Sequence, residues 1–337
     1  MISNILDRIS FFSLFLVIVL LPVFFVPFIK IPIETSKGVI LVFGLVISII
    51  FWIAARFLDG RIVIPRSKLL LSACVLVVVF LISALFSSSV SVSLFGTLLD
   101  PGTFYFILGA FLLMLLSSIF FQNVNNAKMV LWGIIISSTV LFLLQVFRLF
   151  FPAFLSFGVL GAKTDNIFGV WNSFGLFAGF SSVMSLFVME FFPLSKKLKW
   201  LTGAALVFSM LIVLLVNFAL VWKLLVVFTL IIFVYKVSIS LNKKDSEKKN
   251  ISRDDFPSFS FAILMISLLF FVSGQYIGGF LPKTLGVPYA EINPSFQSTF
   301  SVAKDAVFHN PILGVGPNNF DKAWSMYKPL SINNTQF

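Results

Sequence analysis

The residues in this chain that could do chemistry are few. His309 is the single histidine, and Asp305 lies four positions before it. At helical spacing the two share a face, so the carboxylate can orient the ring and favour the imidazolium. Such a pair suits a general base or a phosphate contact. A histidine in the last turn of a helix also meets favourable carbonyl dipoles without doing any chemistry. Positive charge is available from Arg148, Lys163, Lys283 and Lys304. Arginine and lysine are the side chains that hold a diphosphate when no metal does. The acidic residues expected on the outer side of the membrane, Glu34, Asp100, Asp165, Glu291, Asp305 and Asp321, form no Asp-x-Asp pair and no His/Asp cluster. No dedicated divalent-metal site and no cofactor are therefore expected. Cys74, the only cysteine, lies in an apolar run, which excludes an intramolecular disulfide and a cysteine-based metal site.

These groups need a scaffold, and composition says what kind. The chain is 59% hydrophobic and only 11% charged, whereas soluble domains carry about 25% charged residues. Apolar runs of bilayer-crossing length recur along it. The expected fold is an all-α, polytopic membrane bundle of about nine spans, near 11–29, 38–57, 69–86, 103–121, 128–150, 168–192, 198–217, 221–240 and 258–276. Pro22 and Pro27 are expected to kink the first of these near its outer end. Gly175-x-x-x-Gly179 and Gly274-x-x-x-Gly278 are small-residue spacings that allow close helix contact.

A net charge of +11 would point to nucleic acid in a soluble protein. Here it sits mostly in short loops. With the N-terminus in the cytoplasm, loops holding Arg56, Arg61, Arg66, Lys68, Lys196, Lys197, Lys199, Lys243 and Lys244 fall inside, while Lys30, Lys37, Arg148, Lys163 and Lys223 fall outside. That bias sets orientation and favours anionic lipid; nucleic acid is not an expected partner. The charged stretch 241–257 then reads as a polar cytoplasmic loop and its Asp254-Asp255 pair as a solvated charge run. Arg148 and Lys223, at outer helix ends, could equally serve as headgroup anchors. The domains expected are a transmembrane bundle, 1–276, and an extracytoplasmic segment, 277–337.

Within that segment, Asn293 and Pro294 have the character of an N-cap and first helical residue. Phe296, Phe300, Ala303 and Val307 recur at helical spacing, and Pro311 ends the helix near Asn310. A glycine-rich turn comes next, and Phe320, Trp324 and Tyr327 then mark a second short amphipathic helix, stopped by Pro329. Both helices are expected to lie in the membrane interface.

The stretch Asn293-Pro-Ser-Phe-Gln-Ser-Thr and, after it, His309-Asn-Pro311-Ile-Leu-Gly314-Val-Gly316-Pro317-Asn318-Asn-Phe320 resemble the O-antigen ligase and polymerase family. Ser91-Val-Ser-Leu-Phe-Gly96 is similar to another loop of these proteins. The resemblance implies a multi-pass protein of the bacterial cytoplasmic (inner) membrane, with a C-type glycosyltransferase-like fold. It implies transfer of a glycan from an undecaprenyl-diphosphate carrier to a hydroxyl of lipid A-core, another glycan or a protein, inverting and metal-independent. Arg148, Lys163 and Lys304 would then hold the leaving diphosphate, and His309 with Asp305 would be candidate catalytic groups. Relatives often carry arginine where this chain has Asn293, and their His-Asn element lies downstream of the glycine motif. The family's last spans are not in this sequence, so a fragment is expected. A transporter or flippase of lipid-linked glycan, or an inactive remnant, are the competing expectations.

Overall fold

The computed structural model describes residues 2–29, 31–96, 100–153, 155–247, 256–287 and 295–329. Among them are thirteen helices: α1 (Ile2–Leu20), α2 (Ile33–Asp59), α3 (Lys68–Leu85), α4 (Val90–Leu94), α5 (Phe104–Phe120), α6 (Val124–Phe150), α7 (Trp171–Phe191), α8 (Lys196–Val216), α9 (Ala219–Glu247), α10 (Ser258–Ile277), α11 (Phe280–Thr284), α12 (Phe296–His309) and α13 (Phe320–Tyr327). Seven of the helices are long and apolar enough to cross a membrane; two shorter apolar ones lie at 104–120 and 258–274. The protein is thus a multi-pass, all-α membrane protein. α3 shows why so much apolar surface is turned outward. It buries only Ala84, and its leucines and valines can be solvated by lipid.

The first helix departs from expectation. It spans 2–20 rather than 11–29, and the prolines lie beyond it. Proline disfavours helical backbone in the residue before it and lacks the donor that the next turn needs, so Pro22 is a stop rather than a kink. At the other extreme, α9 continues to Glu247, past position 241 where a loop was expected. The Asp254-Asp255 pair lies outside the described residues.

The chain forms two compact units. The first comprises Met1–Leu21, Ile31–Val130 and Ala290–Phe337. Here α1 and α2 run antiparallel, joined by hydroxyls as well as by the buried Leu14, Val17 and Leu45. Ser10 Oγ donates to the Ser48 carbonyl at 2.7 Å, Ser48 Oγ to the Ser10 carbonyl at 2.9 Å, and Ser13 Oγ to the Gly44 carbonyl at 2.9 Å. Arg56 closes the end of the pair through ion pairs with Asp7 and, at 3.3 Å, with Asp59. Apolar contact gives helices in lipid little net attraction, so such interhelical hydrogen bonds carry weight, about 0.6–1.7 kcal/mol each. Ser48→Ala is expected to cost about 1 kcal/mol, seen as a fall of a few degrees in the unfolding midpoint in detergent micelles. An unchanged midpoint would remove these bonds from the account.

The second unit comprises Pro22–Lys30 and Leu131–Tyr289. Gly175 of α7 lies where an added Cβ would stand 2.6 Å from Val216 of α8, and one at Gly179 would stand 2.7 Å from Val221 of α9. The expected small-residue contact is thus present. A Cβ at Gly278 would run into the Asn217 side chain, whereas one at Gly274 would meet nothing within 4 Å, so only half of the second spacing packs closely. A seam of hydroxyls, unexpected from the sequence, ties α6, α7 and α8: Ser181 to Ser138 at 3.1 Å and Ser182 to Ser209 at 2.7 Å. Trp222 of α9 stacks on Phe270 of α10 at 4.6 Å and donates to Asn217 Oδ1 at 3.0 Å. The Glu190 carboxylate accepts from the N–H and the hydroxyl of Ser260, at 3.3 and 3.1 Å, and so satisfies the start of α10.

Candidate functional site

In the first unit the glycine turn is docked onto the serine-rich loop that comes after α3, more than two hundred residues earlier in the chain. Asn319 is 4% exposed. Its amide donates to Ser87 Oγ at 2.8 Å, Ser93 Oγ at 2.7 Å and the Val315 carbonyl at 3.2 Å. Ser93 Oγ donates in turn to Ser87 Oγ at 2.8 Å. Asn318, in the left-handed region at φ 57°, donates to Asp100 Oδ2 at 3.3 Å. Ser83 Oγ reaches the Leu313 carbonyl at 2.7 Å, and the Lys322 ammonium reaches Ser88 Oγ at 2.8 Å.

The backbone explains why the turn needs glycine. Gly316 has φ 90°, and a Cβ there would stand 2.8 Å from Ser87 Oγ and 3.0 Å from Ser93 Oγ. Gly314 is also left-handed, at φ 64°, but faces open space. Pro311 and Pro317 bracket the turn.

The two helices around this turn form their own small core. Val302 and Ala306 of α12 pack on Ala323 of α13, with Val315, Trp324 and Tyr327 against them. Ser295, not Asn293, caps α12, its hydroxyl accepting from the Ser298 N–H at 3.2 Å; Asn293 and Pro294 lie outside the described residues. The face bearing Phe296, Phe300 and Val307 is not the packed one. Phe296 is 85% exposed, and Phe308 and Ile312 beside the turn are exposed as well. An apolar face turned outward next to a packed polar turn has the character of an interfacial helix.

His309 does not pair with the Asp305 carboxylate as its spacing led us to expect. Its Nδ1 lies 2.8 Å from the main-chain carbonyl of Asp305. A carbonyl only accepts, so Nδ1 carries a proton, and Nε2 is the ring nitrogen left to face a substrate. The ring stacks on Tyr327 at 5.0 Å with an interplanar angle of 24°, and the side chain is exposed. Lys304 is exposed on the same helix.

In the second unit, the loop after α6 is built around Arg148. The residue is 1% exposed. Its guanidinium donates to the carbonyls of Asp165, of Ala162 at 3.2 Å and of Leu160 at 3.4 Å. Gln145, one turn earlier, donates to the Lys163 carbonyl at 3.0 Å. Asp165 Oδ2 accepts from the N–H groups of Gly161 at 2.9 Å and Ala162 at 2.8 Å. Asn166 clasps Gly169 in both directions, at 2.8 and 3.0 Å. Arg148 was expected to face a diphosphate; its guanidinium is instead engaged by the loop it supports. Arg148 stands in the last turn of α6, and Lys163 belongs to the loop that its guanidinium supports. The Lys163 ammonium reaches out to the Leu285 carbonyl at 3.2 Å, close to Gly286. Among the described residues no three His, Cys, Asp or Glu side chains gather to hold a metal ion.

Fold and turn together define a polytopic helical membrane protein that packs a glycine-rich turn, flanked by two short helices, onto a serine-rich loop. Comparisons with protein-family models, with curated proteins and with solved structures find no match to this chain.

Proposed function

We propose that this protein transfers a glycan from a polyprenyl-diphosphate carrier to an acceptor hydroxyl at the outer face of the bacterial cytoplasmic membrane, in the manner of O-antigen ligases and polymerases. The observation that supports this most is the docking of Asn318 and Asn319 onto Asp100, Ser87 and Ser93. The two stretches that resemble the family, far apart in sequence, form one packed unit here. Nine spans with the N-terminus inside would set α12, α13 and the turn on the extracytoplasmic side, where the exposed Phe296, Phe300 and Val307 meet lipid.

The acceptor oxygen attacks the anomeric carbon on the face opposite the diphosphate. The bond from that carbon to the phosphate oxygen breaks, and polyprenyl diphosphate leaves with the electron pair. The proton lost by the acceptor passes to a base, for which His309 Nε2 is the candidate. Lys163, in the second unit, and Lys304, in the first, are separate candidates for binding the diphosphate, where positive charge counts most as the leaving group gains charge. Arg148 acts on Lys163 through the loop.

The test is release of polyprenyl diphosphate by the purified chain, given a glycan on that carrier and a hydroxyl acceptor. Release tied to glycosylated product is expected, and its absence rejects the proposal. Lys163→Ala should lower kcat/KM about tenfold, the range for losing one charged hydrogen bond. Asp305→Asn should change it less than threefold, because the ring is held by the main-chain carbonyl of Asp305 and not by its carboxylate.

A further inference from the structure

The second unit contains a cleft of about 900 Å³ that no step of the proposed transfer uses. Along α8 it runs from Lys196 and Lys199, past Gly203 and Val207, to Leu214; Phe259 and Ile266 of α10 form part of its lining. The rise along α8 from Lys196 to Leu214 is about 27 Å, close to the hydrocarbon thickness of a bilayer. A Cβ at Gly203 would meet nothing within 4 Å, so the small residue leaves open space.

The cleft is apolar along its length and charged at one end. Lys196 and Lys199 share the face of α8 that borders it, and no acidic side chain lines it among the described residues. The Lys199 ammonium sits 6.0 Å from the centre of the Phe259 ring across the mouth. Trp200, 82% exposed, stands beside them, an aromatic at the level where headgroups begin.

We infer that this cleft holds an acidic phospholipid, its acyl chains lying along Gly203 and Val207 and its phosphate on Lys196 and Lys199. The charge pattern favours this occupant. Any lipid tail fits an apolar trough, and such contact gives little preference in a bilayer; an anionic headgroup is what two lysines select. The loop before α8 carries the inward-biased basic residues, and the cytoplasmic leaflet is the one that supplies anionic lipid. The inference stands on the membrane class alone and does not depend on glycan transfer.

The test uses the full chain, purified in detergent with equal phosphatidylglycerol and phosphatidylcholine, and the lipid that stays bound is measured by native mass spectrometry. Two lysines near a headgroup give an expected enrichment of phosphatidylglycerol of about thirtyfold at low salt. K196Q/K199Q should bring the two lipids to parity. G203L, which fills open space and should leave the melting curve unchanged, should lower retention of both. Equal retention of the two lipids by the unsubstituted chain would overturn the inference, as would undiminished enrichment in the double variant. Unaltered retention in G203L would move the lipid out of this cleft and overturn it as well.

Discussion

Gly316→Val should undock the glycine turn, at a cost of roughly 3–5 kcal/mol. Two effects add. A β-branched residue at φ 90° is strained by about 1–3 kcal/mol. Its Cβ would also press into Ser87 and Ser93, standing 2.8 Å from Ser87 Oγ, and overpacking of this kind costs a further 1–3 kcal/mol or so. The matched comparison is Gly314→Val. That position shares the left-handed backbone, at φ 64°, but a Cβ there has no neighbour within 4 Å, so strain acts alone. Thermal unfolding together with limited proteolysis around residues 295–329 reads the difference. The expected order is a large loss at 316, with rapid cleavage, and a shift of a third to a half as much at 314. Equal small shifts would mean that the contact with Ser87 does not hold the turn. Under the proposed function, Gly316→Val also abolishes release of polyprenyl diphosphate, with a lesser loss at 314.

How far the sequence foretold this can be seen residue by residue. The apolar runs located most helices to within a few positions, because a stretch that must satisfy its backbone in lipid has no alternative to a helix. Pro22 misled only because a proline can kink or stop a helix, and the residues on its C-terminal side decide between the two. The second short helix was legible: Phe320, Trp324 and Tyr327 read as one face and α13 spans Phe320–Tyr327, stopping before Pro329. α12 was legible too, but its packed face was not. Phe296 and Phe300 are the strongest apolar signal, yet Val302 and Ala306 are what α13 covers; small residues permit close approach, and the aromatics stay exposed. The docking of Asn319 on Ser87 and Ser93 could not be read at all. Nothing in local spacing links positions more than two hundred residues apart. A hint was available in Ser87, Ser88 and Ser89, since a run of hydroxyls at a helix end invites a partner with donors. Spacing also gave the right neighbour for His309 but the wrong atom: four residues back along a helix lies a carbonyl as well as a side chain. The same blindness to the main chain affected Arg148, whose charge was visible and whose carbonyl partners were not.

Arg148→Met should destabilise the second unit by roughly 3 kcal/mol. It removes a buried guanidinium from the carbonyls of Leu160, Ala162 and Asp165, and each buried acceptor left without a donor costs about 1–3 kcal/mol. Water can replace part of this at Ala162, which is exposed, but not at Leu160, which is 2% exposed. Lysine is not an adequate substitute, since a single ammonium lacks the planar fork that reaches several carbonyls at once. Asp165→Asn provides an independent probe, because its carboxylate holds the Gly161 and Ala162 N–H groups from the other side of the same loop. Hydrogen exchange over residues 160–166 is expected to quicken in Arg148→Met, Arg148→Lys and Asp165→Asn, most in the first, with a lower unfolding midpoint. A group that served only to bind diphosphate would behave otherwise: Arg148→Met would keep its midpoint and its exchange pattern while the KM for the lipid-linked donor rose about tenfold, and Asp165→Asn would be silent. The burial of Arg148 and its bonding to three carbonyls argue for the first outcome. Under the proposed function, any effect of Arg148 on transfer would then reach the lipid-linked donor through Lys163, the cation that this loop carries on a side chain.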